Sequence, residues 1–168
     1  MRADLEREYV EYLRLRLPQL RKVAALLCGD VDRGDDVVQA AALTLYAKWK
    51  LVREADDMDA YVHRVVVNSF LRERRLRWSR VLLFDRLPDR EAAPDQPVDE
   101  RMAVRAALRR LPPRQQAVLV LRFLCDRPVA DVAAILGCAE GTVRSQTSDG
   151  LRALRRQLAG WLMDRGMV

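Results

Sequence analysis

The chain has 168 residues, half of them hydrophobic, enough for one good core or two small ones, and carries a net charge of +6. Its three cysteines stand singly and it has one histidine, so no cluster sits at metal-ligand spacing and neither a zinc site nor another cofactor is expected. No apolar run approaches the ~18 residues that span a bilayer and no opening segment has signal-peptide character, so we expect a cytoplasmic protein with reduced thiols and no membrane partner.

In chain order the pattern is helical almost throughout, with hardly a strand signal. Asp4 to Arg16 is amphipathic, and Pro18 is expected to open a second helix, Gln19 to Cys28, that Gly29 ends. An acidic turn from Asp30 to Asp36 follows, whose carboxylates suit the positive end of the next helix. In that helix Val37, Val38, Ala41, Leu45 and Trp49 mark an apolar face. Asp57 or Asp59 can cap a further helix, with Tyr61, Val62, Val65, Val66, Ser69 and Phe70 as its buried side. That helix runs out into Arg72, Arg74, Arg75, Arg77 and Trp78, the tryptophan expected to pack against protein. The lone histidine, His63, reads as a polar helix residue, and each cysteine as a small buried side chain.

From Ser79 to Pro97 three prolines interrupt a run with six charged residues between Asp85 and Asp95, the character of a linker. Beyond it Val98 to Arg110 reads as a helix stopped before Pro112 and Pro113, and Pro113 can start another, Arg114 to Leu124. Leu108, Leu111, Val118, Leu119 and Leu121 are expected in the core there. Pro128 then opens a short helix whose apolar face holds Val129, Val132, Ala133 and Leu136, Ala133 being small enough for a close crossing. Gly137 permits a left-handed turn. After it Val143, Thr147, Leu151, Leu154 and Leu158 form the packed stripe of a last helix.

This is the grammar of a helix-turn-helix. The other face of the last helix carries Arg144, Ser145, Ser148, Asp149, Arg152 and Arg156, a mix of long cations and short hydrogen-bonding groups that suits a major groove. A solvated amphipathic helix is the bland alternative. Charge placement favours the DNA reading: residues 101–168 hold twelve arginines against five acidic residues, and residues 61–80 hold six arginines against one glutamate. Two separated basic patches imply two contacts with nucleic acid.

Leu111-Pro112-Pro113-Arg114-Gln115 through Gly141-Thr142-Val143-Arg144-Ser145 closely resembles region 4 of the bacterial sigma factors of the extracytoplasmic-function group. Upstream, Asp35-Asp36-Val37-Val38-Gln39 resembles the region 2 motif that docks on RNA polymerase. Ala60-Tyr61-Val62-His63-Arg64-Val65-Val66-Val67-Asn68 resembles the segment that reads the minus-10 element. One helix-turn-helix is a weak signal, whereas two ordered motif sets are a strong one.

The resemblance implies an all-α chain of two small helical domains: region 2 over residues 1–80, a linker over 81–97, and region 4 over 98–168. It implies an alternative sigma factor, not an enzyme, whose partners are core RNA polymerase and promoter DNA, with an anti-sigma protein as a further partner of this family. Polymerase docking falls to Asp35, Asp36 and Gln39. Asn68 matches the asparagine of a base-reading pocket, where an amide can pair with a base that has left the stack. Arg64 joins it, and Arg72, Arg74, Arg75 and Arg77 would hold the separated strand. Thr142, Arg144, Ser145, Gln146, Ser148, Asp149 and Arg152 occupy positions that meet the minus-35 element.

Two departures stand out. Ala40 and Ala41 replace polar residues after Gln39, and Asp149-Gly150 replaces a basic residue and a good helix former in the recognition helix. Asp149 would repel phosphates, and Gly150 is expected to cost the helix about 1 kcal/mol relative to alanine. The competing reading is a stand-alone helix-turn-helix regulator with an N-terminal sensing or dimerisation domain. Asn68 and the arginine run after it argue against that.

Overall fold

The computed structural model describes residues 3–84 and 99–166, and these form helices with no strand among them. The N-terminal unit comprises α1 (Ala3–Cys28), α2 (Val31–Ala47), the short α3 (Trp49–Arg53) and α4 (Met58–Phe84). The C-terminal unit comprises α5 (Glu100–Arg109), α6 (Pro113–Leu119) running on into a π-helical turn, Val120–Leu124, then α7 (Val129–Leu136) and α8 (Glu140–Asp164).

Pro18 does not divide the first helix. It lies on the exposed side of a continuous α1, where water can serve the carbonyl that proline leaves without a donor. Tyr9 on one side of it and Leu20, Val23, Ala24 and Leu27 on the other are all buried, so packing holds both halves in line. The expected acidic turn is likewise mostly helix. Asp30 is the N-cap, its Oδ1 accepting from the Arg33 N–H at 3.0 Å, and Asp32 lies in the first turn. Here α1 and α2 cross so closely that a Cβ on Gly34 would stand 2.8 Å from the Ala25 backbone nitrogen.

Trp49 is buried as expected, but α2 breaks at Lys48 and the indole sits on α3, edge-on to Tyr9 and tilted against Tyr12. Asp57 caps α4, accepting from the Ala60 N–H at 2.8 Å. That helix continues to Phe84, past the expected start of the linker, and the remainder of the linker up to residue 98 lies outside the described residues. Asp99 caps α5 through the Met102 N–H at 2.9 Å.

The two units are docked on one another. One apolar core runs from Leu20, Val23, Leu27, Leu45, Val62 and Phe70 into Ala117, Val118, Leu121, Val132 and Val143. Leu108, Leu111 and Leu119 form a smaller cluster beside α8. The four leucines and one valine expected in the C-terminal core are therefore divided, since Val118 and Leu121 belong to the core shared by both units.

Candidate nucleic-acid interface

A helix advances 100° per residue, so Arg64, Asn68, Arg72 and Arg75 fall on one face of α4, whereas Arg74 and Arg77 fall on the other. The structure bears this out in their surroundings. Arg64, Asn68, Arg72 and Arg75 are exposed. Arg77 lies 3.8 Å from Glu73, which is also gripped by Arg33 at 2.9 Å, and burial followed by the nearby Arg33 cation lowers the pKa of Arg74. The arginine run expected to act as one group is thus split: Arg72 and Arg75 keep company with Asn68, while Arg74 and Arg77 face the end of α1. Trp78, expected to pack, is 63% exposed.

Arg64, Asn68 and Arg72 open onto a cavity of about 380 Å³ whose other wall is Thr44 and Lys48 from the end of α2. Asn68 offers an amide with both donor and acceptor, and three cations surround it. Such a hollow suits a base lifted from the stack, with its phosphates held at the rim. Thr44 and Lys48 were missed by sequence reasoning. Their only signal was a spacing of four on a helix whose partner face was unknown.

On α2 the two aspartates differ. Asp35 receives both Nε and Nη2 of Arg21 at 2.8 Å, and this hydrogen bonding holds its carboxyl below the ordinary carboxylate range. Asp35 therefore ties α2 to α1. Asp36 and Gln39 are exposed and continue along the same stripe into Ala40, Leu43 and Tyr46, with Leu43 73% exposed. An apolar stripe headed by an exposed carboxylate and an amide is a surface suited to a protein partner. Of the two alanines noted above only Ala40 belongs to it, because Ala41 is a core residue.

The C-terminal unit forms the expected helix-turn-helix. Gly137 adopts φ 64°, ψ 42°, a conformation that costs other residues, and the Cys138 N–H closes the turn on the Ala133 carbonyl at 3.0 Å. Val143, fully buried, anchors α8 beneath it. Thr142, Arg144, Ser145, Ser148, Asp149 and Arg152 are exposed together. Gln146 departs from the expected group: it is half-buried, and its Oε1 is enclosed without a hydrogen-bond partner among the described residues. Arg144 and Arg152 each carry a carboxylate neighbour on the same helix, Arg144 with Glu140 at 3.0 Å and Arg152 with Asp149 at 3.4 Å.

Gly150 has a role that sequence reasoning did not assign. It is buried, and a Cβ placed on it would lie 3.2 Å from Leu119 Cδ1 and 3.6 Å from Gln115 Cβ, so the glycine lets α8 settle close on α6. Beside the recognition face, Arg122, Arg144 and Arg155 with Thr147 and Ser148 line a second hollow of about 370 Å³, basic enough to seat a backbone phosphate. Arg122 and Arg155 are additions to the expected set. Burial pushes the Cys28 thiol up to about 12 and the Cys125 thiol up to about 11, which removes both as nucleophiles at neutral pH.

The family model for Sigma-70 region 2 matches residues 13–80, and that for Sigma-70, region 4 matches residues 101–154. The chain is 32% identical to an RNA polymerase sigma-E factor of Streptomyces coelicolor over 164 residues, covering 94% of this chain and 89% of that one. It is 34% identical to the ECF RNA polymerase sigma factor SigM of Mycobacterium tuberculosis, covering 86% and 73%. Among solved structures, the sigma factor RpoE in complex with the anti-sigma factor NepR from Bartonella quintana superposes with a TM-score of 0.74 at 25% identity, covering 90% of this chain and 97% of that one.

Proposed function

The chain belongs to the sigma-70 family of RNA polymerase sigma factors, and from that premise we propose how its surfaces divide the work of promoter-specific initiation. As a sigma factor it binds core RNA polymerase and directs it to promoters through the minus-10 and minus-35 elements. It acts as an initiation factor without chemistry of its own, in the cytoplasm, with region 2 running to the end of α4 at Phe84, a linker from there to residue 97 and region 4 over 98–168.

Asp36, Gln39, Ala40 and Leu43 form the polymerase-docking stripe, with Asp35 positioning α2 from behind. Asn68 reads an extruded base of the minus-10 element, while Arg64, Arg72, Arg75 and Lys48 hold the strand. Thr142, Arg144, Ser145, Ser148, Asp149 and Arg152 face the minus-35 duplex. Arg122 and Arg155 grip its backbone. Each contact set is small, so linking the two through one polymerase supplies the avidity that neither has alone. An anti-sigma protein is a fitting further partner.

The observation that carries this reading is the cavity in which Asn68 stands between Arg64 and Arg72, with Lys48 on the far wall. In vitro transcription with purified core polymerase tests it. A promoter-specific transcript that depends on the chain is expected. Failure both to bind polymerase and to direct a transcript would refute it.

A further inference from the structure

Beyond the base-sized cavity α4 carries its basic face onward, and an aromatic side chain stands at the end of it. At 100° per residue Arg75 lies about 20° round the helix from Asn68 and Trp78 about 80° in the same direction, so the three share roughly one quarter of the circumference with Arg75 in the middle. At 1.5 Å per residue Trp78 is about 15 Å farther along the axis than Asn68.

A single exposed aromatic is ordinary on a protein surface. Trp78 is set apart by its surroundings and by its contrast with the other two tryptophans of the chain. Trp49 is fully buried beside Tyr9 and Tyr12, and Trp161 is half-buried with the Arg165 guanidinium 5.0 Å from its ring centre. Trp78 is 63% exposed among the exposed Arg72, Arg75 and Arg80.

The charge along this stretch suits a nucleic-acid strand. Glu73 is the one acidic residue of α4 beyond Asn68. It lies about 140° from Asn68 round the helix, where Arg33 at 2.9 Å and Arg77 at 3.8 Å hold it. A strand that leaves the Asn68 cavity along α4 therefore passes cations first and an open indole next. Phosphates repeat about every 3.4 Å along a strand of stacked bases, so 15 Å corresponds to about four nucleotides. An indole flanked by cations offers such a strand a flat apolar surface for one base and charge for the phosphates on either side. Only an unpaired base has a face to give it, because in a duplex both faces are covered by neighbours.

We propose that Trp78 is a stacking platform for an unpaired base of the opened promoter strand, about four nucleotides from the base that Asn68 reads. It is a positioning residue, which lengthens the grip on the opened segment without adding a sequence preference, since every base presents a π face. This rests on the sigma-factor reading above.

The test uses holoenzyme assembled from the full chain and core polymerase, on a promoter fragment whose minus-10 segment is already unpaired. The fluorescent base 2-aminopurine, which stacking quenches, is placed at one position at a time in the opened strand, and the position that responds to Asn68→Ala marks the Asn68 cavity. A second quenched position is expected about four nucleotides away. Trp78→Ala should relieve the quenching there and nowhere else, and Trp78→Phe should keep most of it. Trp78→Ala should also weaken binding to the unpaired fragment about tenfold, the size of one lost base stack. Its salt dependence should stay at the wild-type slope because no charge is removed, whereas Arg75→Ala should lower the slope by about 0.7, one phosphate contact on a single strand. Affinity for core polymerase and for fully paired promoter should not change. Fluorescence unaltered by Trp78→Ala at every position, a paired fragment weakened as much as the unpaired one, or a salt slope lowered as far as by Arg75→Ala would each overturn the platform. Transcription from the same wild-type holoenzyme keeps the two readings apart: absence of any specific transcript refutes the sigma assignment, while a specific transcript with unaltered fluorescence refutes the platform alone.

Discussion

Arg127 and Asp57, seventy residues apart in the chain, meet at 2.6 Å across the boundary between the two helical units. The hydrogen bond from Arg127 holds the Asp57 carboxyl below the ordinary carboxylate range, and Asp57 also caps α4 through Ala60. The residue that starts α4 in one unit is therefore also the residue that binds Arg127 of the other.

Acidification should open the seam. Burial, then the Arg127 cation, lowers the pKa of His63 in the closed form, with Arg16 acting in the same sense and Asp59 and Asp57 opposing. Tyr12, Cys125 and Asp126 complete the walls around it. The closed form thus keeps His63 neutral and binds fewer protons than the open form, whose histidine titrates near its ordinary ~6.5. Closure is favoured at higher pH and weakens as pH falls through that range. Asp57 adds a second loss only near and below the carboxylate range. Small-angle scattering between pH 8 and 5.5 should show expansion, and His63→Gln should abolish the change; a flat wild-type profile would show that His63 does not govern the contact between the two units.

Asn68→Ala should leave polymerase binding intact and slow promoter melting, because an alanine offers nothing to the edge of an extruded base. Core-binding affinity and the rate of open-complex formation, measured side by side, decide it. An unchanged melting rate would take Asn68 out of the pocket assignment.

Asp149→Arg should tighten binding to minus-35 duplex and steepen the dependence of log affinity on log salt by about 0.9, the value for one added phosphate contact. Asp149 and Arg152 are both more than half exposed, so the substitution costs the fold little. A slope equal to that of the wild type would place position 149 off the DNA.

Gly150→Ala should be nearly neutral for thermal stability. The helix gains about 1 kcal/mol from alanine, and the new Cβ presses on Leu119 at 3.2 Å, a flexible contact that offsets part of the gain. Gly150→Leu, by contrast, should destabilise by about 1–3 kcal/mol, as overpacking does. Equal melting temperatures for both variants would show that α8 does not sit tightly on α6.

The helices and the turn of the helix-turn-helix were legible because their causes are local. Capping by Asp57, the left-handed Gly137 and the three-to-four spacing of apolar residues act within a few positions of one another. The Asn68 face was legible for the same reason, since residues 64, 68 and 72 share a helix face whatever surrounds it. Pro18 misled because its local signal for a helix start was outweighed by burial on either side.

What the sequence determined by itself is therefore most of the helical pattern, the order of the two units and the motifs that name the family; the continuity of α1 through Pro18 and the separate α3 were not among it. The tertiary structure alone decided which side chains those helices leave free. It divided Arg72 from Arg74, turned Gln146 inward, gave Gly150 a partner in Leu119 and brought Lys48 to the Asn68 cavity. It also joined Arg127 and His63 to Asp57. The reason is that periodicity assigns a residue to a face, but only the neighbour that packs against that face decides whether the residue meets protein, water or DNA.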